Sequence, residues 1–111
     1  MSDITSLKQR LPIVLQSADA VFEMGDYTSA TMLYFKAWFL ALDILLLDKE
    51  GKSPKDHTER FMMLKQVFPE LYDELNQRYP TYRATYTTTL HQKICTEVRT
   101  YVKKLTASIK L

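Results

Sequence analysis

The residues that could do chemistry in this chain are few, and none falls into a recognised catalytic spacing. There are two histidines and one cysteine. His57 sits in the run Lys55, Asp56, His57, Thr58, Glu59, Arg60 at the start of a helical pattern. It reads as an acid–base or ligand-binding group at a helix terminus, or, more commonly for such a place, as an exposed first-turn residue. His91 lies beside the apolar stripe of the last helix with Arg83 upstream, where it could serve an anion or an RNA phosphate. A solvated position on the helix face is the plainer reading. Asp73 and Glu74 are adjacent and so point in different directions on a helix, which makes them solvated charges and not an acid–base pair. Lys36 and Asp43, seven positions apart, share one face of an otherwise apolar segment, and could line a cleft or simply reach solvent at one edge. No glycine-rich phosphate loop, paired-histidine metal spacing or Ser-His-Asp set is present, so no cofactor or metal is expected.

Charge is distributed more tellingly than its total. From Met1 to Tyr82 there are nine Lys and Arg against twelve Asp and Glu, and from Arg83 onward six against one. Lys93, Arg99, Lys103 and Lys104 fall on the polar side of the last helix, with Tyr79, Tyr82 and Tyr86 close by in sequence. Basic side chains beside aromatic rings are what phosphate contacts and base stacking require. An acidic protein surface would be met by the same residues, and a merely solvated face would carry them too.

The elements that must position these groups are helices. The chain has 111 residues, 46% hydrophobic and 25% charged, enough for one domain, residues 1–111, and too few for two cores. Its two glycines are too few for tight hairpins. Leu7, Leu11, Val14, Ala18, Val21 and Phe22 keep the three-four spacing of a first helix over about Ser6–Met24, in which Pro12 is either a kink or a first-turn residue. Gly25 and Asp26 suit a helix end and a new cap. The second helix, about Tyr27–Leu47, is apolar on nearly all sides and belongs at the centre of a bundle. Its uncharged run is shorter than the roughly 20 residues of a membrane span, and Lys36 and Asp43 would each cost about 2.5–3.5 kcal/mol there. Ser53 is read as the next cap, with Pro54 first and Asp56 completing a capping box. A third segment runs to Tyr79, with Pro69 either opening a short helix or bending a longer one, and Pro80 ends it. Thr81–Thr89 is expected to be an irregular lead-in. A final helix from Thr87 or Thr88 to Ala107 carries Leu90, Ile94, Val98, Val102, Leu105 and Ile109. Cys95 reads as a small core residue, and the N-terminus lacks a secretory pattern, so a reducing, cytoplasmic setting without membrane attachment is expected.

The order of these signals resembles the HEPN family (higher eukaryotes and prokaryotes nucleotide-binding). The residues that carry the likeness are Gly25-Asp26-Tyr27, Ala41 to Leu47, Gly51, His57 with Leu64, Arg78-Tyr79-Pro80 and the amphipathic last helix. The resemblance covers roughly Ala18 to Leu105. It implies an all-α, up-and-down bundle of four main helices with room for an extra short one, usually dimeric. Many members pair with a minimal nucleotidyltransferase in toxin–antitoxin systems. Active members are metal-independent ribonucleases that use an arginine and a histidine near the start of the last helix, brought together across the dimer. The ordered pair here is Arg83 and His91, with seven residues between them, a wider spacing than the family's. The expectation is therefore an interaction module, homodimeric and docking a partner protein. RNA cleavage by Arg83 and His91 is the alternative. A tetratricopeptide-type adaptor is weaker, because no repeat of about 34 residues is present.

Overall fold

The computed structural model describes residues 3–111. Among them the chain forms five helices and no strand: α1 (Ile4–Glu23), α2 (Tyr27–Glu50), α3 (His57–Val67), α4 (Pro69–Ala84) and α5 (Gln92–Ala107). The all-α bundle expected from the sequence is what forms. Its third main segment is two helices, because Pro69 takes the first position of α4 and breaks the chain at Phe68.

Asp3 opens α1 by accepting the Ser6 amide at 2.8 Å, and the helix then continues straight through Pro12. An interior proline costs about 3 kcal/mol. The buried stripe Leu7, Leu11, Val14 and Ala18, spanning both sides of Pro12, opposes that cost. Gly25, at φ 85°, turns the chain, and Asp26 caps α2 through the Ser29 amide at 3.1 Å. Phe22 meets Tyr27 edge-on across the turn, with ring centroids 5.3 Å apart, so α1 and α2 run antiparallel.

α2 is the centre of the molecule. Ala30, Tyr34, Ala37, Trp38, Ala41, Leu42 and Leu46 are fully buried and occupy about half of the helix circumference, while Leu33, Leu40 and Leu47 on the remaining side are half-buried and Lys36 there is exposed. Phe35 stacks on Trp38 at 5.2 Å, and Tyr101 of α5 lies 4.6 Å from the Trp38 ring. By length and composition α2 could cross a membrane, yet 61% of its most apolar window is buried inside this fold. The helix is also longer than the sequence pattern suggested. Asp48, Lys49 and Glu50 form its last turn, not a loop, and the stop is Gly51 at φ 77°, whose amide bonds the Leu47 carbonyl at 2.9 Å. A polar turn does not end a helix; a residue that tolerates the left-handed region does.

Further departures from the sequence reading have a local cause at α3 and distant contacts behind them at α4 and α5. Ser53 and Pro54 do not cap α3. Asp56 does, accepting the Glu59 amide at 2.8 Å, while Glu59 reaches back to the Lys55 amide. Pro80 does not end its helix, which runs on to Ala84. The rings of Tyr79 and Tyr82 pack on Phe39, and Tyr82 also on Phe35, so the segment around Pro80 is anchored on α2 in helical register. The last helix accordingly starts at Gln92, later than expected. Thr85–Leu90 crosses back to α2, where the Thr28 hydroxyl accepts the Leu90 amide at 2.8 Å. That register buries Cys95, Val98, Val102 and Thr106, and leaves Ile94 exposed instead of in the stripe.

α1 and α5 both pack on α2, while α3 and α4 form a hairpin that rests on it. Among the described residues no Cα of α1 comes within 8 Å of a Cα of α5. Helices in direct contact usually approach to 8–10 Å between axes, so these two share a neighbour and meet only through side chains.

Pro80 is exposed and lacks an amide that its turn of helix would use. Pro80→Ala should therefore stabilise the fold by about 1–2 kcal/mol, after allowing for the added freedom of the unfolded chain. A lowered urea midpoint in that variant would contradict the assignment of α4 as one continuous helix.

Candidate functional site

Two polar clusters enter this apolar bundle, and each ties α2 to a neighbouring helix. In the first, Asp43 of α2 meets Arg60 of α3. Arg60 donates from Nε to Asp43 Oδ1 at 2.7 Å and from its second terminal nitrogen to Oδ2 at 3.0 Å, a two-pronged contact. The side chains are only 10% and 13% exposed. Its other terminal nitrogen donates to His57 Nδ1 at 2.6 Å. The guanidinium carbon lies 4.9 Å from the Phe39 ring centroid. α3 places both residues, since its Asp56 cap puts His57 and Arg60 one turn apart on the side facing α2.

This geometry fixes the state of His57. A guanidinium has donors and no acceptor, so Nδ1 must accept and the ring is neutral with its proton on Nε2. Burial first, and the Arg60 charge second, push the His57 imidazole below its ordinary value, against the opposing pull of Asp43 and Asp56. Phe39, Tyr79 and Tyr82 surround the ring, with centroids at 4.7, 5.8 and 5.9 Å. The Tyr82 and Tyr86 hydroxyls are 2.8 Å apart, and burial, helped by that hydrogen bond, pushes the Tyr82 phenol up to about 12. Removing one partner of an ion pair this buried costs about 3–5 kcal/mol, because the other charge is stranded. The cluster thus holds α3 and α4 on α2, and its polar atoms are spent chiefly on one another.

The second cluster bridges α1, α2 and α5. Asp19 accepts hydrogen bonds from the Tyr34 hydroxyl and from Lys103 Nζ, the latter at 2.7 Å. Arg99 approaches the same carboxylate at 3.6 Å, with its guanidinium carbon 4.5 Å from the Phe22 ring centroid. Burial pushes the Asp19 carboxyl up, but the bonds from Lys103 and Tyr34 and the two positive charges together hold it below the usual carboxylate range. Burial and the Asp19 bond push the Tyr34 phenol far up. Asp19 is 37% exposed, so the pairs here contribute at most about 1 kcal/mol each.

The residues singled out in the sequence are dispersed by the fold. Arg99 and Lys103 are engaged by Asp19, while Lys93 and Lys104 are exposed on α5. Tyr79 and Tyr82 face the His57 cluster, away from the basic side of α5 that they were read beside. Arg83, exposed near the end of α4, lies 5.9 Å from the Tyr79 ring centroid. His91 is exposed at the cap of α5, where its side chain makes no capping bond and its carbonyl accepts the Cys95 amide. No hydrogen bond joins Arg83 to His91 among the described residues. Asp43 pairs with Arg60, not with Lys36, which is exposed. Cys95 is fully buried, and burial pushes its thiol up, so it is a poor nucleophile. No group of three metal-ligating side chains forms among the described residues.

Sequence reasoning missed Arg60 and Asp19. Arg60 carries a signal in hindsight, standing at the i−4 position to Leu64 on the buried side of α3. Asp19 directly follows the stripe residue Ala18, but nothing local names Tyr34 as its partner.

Family models, characterised proteins and solved structures were all compared with the chain. None of them matches it.

Because His57 binds its proton less well folded than unfolded, its contribution to stability is complete above about pH 6.5, the ordinary histidine value, and falls as the pH drops below it. The urea midpoint should decline between pH 7.5 and pH 5, and His57→Gln, which keeps an acceptor for Arg60, should flatten that decline. An equal decline in the variant would assign the effect to other groups.

Proposed function

We propose that the chain is a HEPN-like helical interaction module that works as a homodimer and docks a second protein, with a minimal nucleotidyltransferase as the first partner to test. The observation that carries this reading is the seam between α1 and α5. A groove of about 580 Å³ runs there, bordered by Pro12, Leu15, Ala107 and Leu111 with Asp19 and Lys103 at one end. Bundles ordinarily close such a seam with packed side chains, and an apolar groove left open is where a partner adds contact area. Elsewhere on these two helices, Ile13 is 59% and Ile94 38% exposed, which leaves apolar surface for a second copy.

The ionisable groups support the same reading from the other direction. The clusters around Asp43 and Asp19 spend their charges on holding helices together, which is a structural use. No hydrogen bond joins Arg83 to His91 within one protomer, so RNA cleavage would need the dimer to bring the two together. A single buried, unreactive thiol suits a cytoplasmic module.

Light scattering of the purified chain at micromolar concentration should give the mass of a dimer, and co-expression with a minimal nucleotidyltransferase should yield a stable complex. His91→Ala should leave both unchanged. A strict monomer would overturn the dimer, and RNA cleavage abolished by His91→Ala would overturn the module in favour of an enzyme.

A further inference from the structure

We propose that the α1–α5 seam is a receptor groove for one acidic, amphipathic helix of a partner protein, an inference that rests on the interaction-module reading and names the partner's chemistry. A second cavity lies one turn further along the seam, toward the start of α1, and we take the two together as one groove. On α1 its edge is Lys8, Pro12, Leu15 and Asp19, positions that recur every three or four residues and so lie in one line. Lys8 to Asp19 spans about 16 Å at 1.5 Å per residue, room for roughly three turns of helix. On the other side run Lys103, Thr106, Ala107 and Lys110, and toward the far end Ile44 and Leu45 of α2 form part of the wall.

The walls decide the conformation of the occupant. Along α1 and α5 both are helix sides, whose main-chain groups are bonded within their helices apart from the Lys8 carbonyl, which loses its donor at Pro12. Ser108 to Lys110 lie beyond the end of α5. An extended segment would bring unpaired amides and carbonyls against Pro12, Leu15 and Ala107, which cannot bond them. A helix satisfies its own backbone and presents only side chains, which is how apolar grooves between helices are filled.

The rim decides the charge. Lys8, Lys103 and Lys110 line it, with Arg99 just beyond, and the one acid in its central part, Asp19, is already bonded by Lys103 and paired with Arg99. Asp48 sits at the far end. The cations therefore outnumber the carboxylates along the groove, and acidic residues flanking an apolar stripe would complement them. A second copy of this chain does not offer such a helix. Its acidic surface helix is α4, where Glu70, Asp73 and Glu74 are exposed, but Leu75 of that helix is buried and Leu71 packs against the core.

The test uses the full chain and two labelled synthetic peptides, followed by fluorescence anisotropy. Both carry leucines at i, i+3 and i+7 on a helix-forming background; one bears glutamates beside the stripe, its twin lysines. The glutamate peptide should bind about tenfold more tightly than the twin. Ala107→Trp, at an exposed groove position, should weaken it by about the same factor, and Lys8→Glu with Lys110→Glu should transfer the preference to the lysine twin. Circular dichroism of the variants reports whether the helices are retained, and the charge pair gives an answer independent of the tryptophan. Equal binding of the two peptides, or no saturation by either, overturns the proposal. So does a single-stranded RNA oligonucleotide that binds more tightly than the glutamate peptide and ignores Ala107→Trp, since the rim would then be a phosphate surface. A nucleotidyltransferase complex that tolerates Ala107→Trp and the charge pair sinks the groove and spares the module. Glutamate-peptide binding that obeys these variants in a chain that captures no protein sinks the nucleotidyltransferase and spares the groove.

Discussion

The fold depends on one constraint: α2 is apolar on every side except a narrow strip where Lys36 reaches solvent. A helix that is apolar around most of its circumference must be covered around most of it, and a chain of this size has few elements with which to do it. α1 and α5 take one part of the surface, and the α3–α4 hairpin takes another. The aromatic residues of α2 set the spacing. Trp38 occupies the contact with Tyr101 of α5, and Phe35 and Phe39 take up the tyrosines of α4. Large rings stand between α2 and both α5 and α4, whereas α1 lies close against α2. α1 and α5 share α2 with no close approach of their backbones.

The polar clusters are consequences of the same demand. Wherever a charge lies next to α2 it must find a partner, because a stranded charge in that environment costs several kcal/mol. Asp43 is such a charge, and Arg60 with His57 answers it from α3. Asp19 stands at the edge of the α1 stripe, and Tyr34 of α2 with Lys103 of α5 answers it across the gap. The bond from Lys103 to Asp19 joins α5 to α1, two helices whose backbones do not meet. Charges committed in this way hold helices together.

Much of this was legible in the sequence, for a physical reason. Periodicity and glycine placement are local, so the Gly25-Asp26 turn, the all-round apolar character of α2 and the stripe of α1 could be read directly. Some failures are local, as where Asp56 and not Ser53 caps α3 and Gly51 sets the end of α2; in the others a distant contact overrode a local rule. Pro80 should end a helix, but Tyr79 and Tyr82 are held on α2 on either side of it. Ile94 should be buried ahead of Cys95, but the bond from Leu90 to Thr28 and the late start at Gln92 set a different register. The partner of Asp43 lies seventeen positions away, on a helix whose rotation the sequence does not state.

The central claim, that α2 is the buried axis on which the other helices depend, is tested most directly by native-state hydrogen exchange of the full chain. The account predicts that the amides of Tyr34 to Leu46 exchange only through global unfolding and are the slowest in the molecule, with α1, α5 and the α3–α4 hairpin opening before them. Amides of α2 that exchange as fast as those of α4, at a free energy well below global stability, would contradict it.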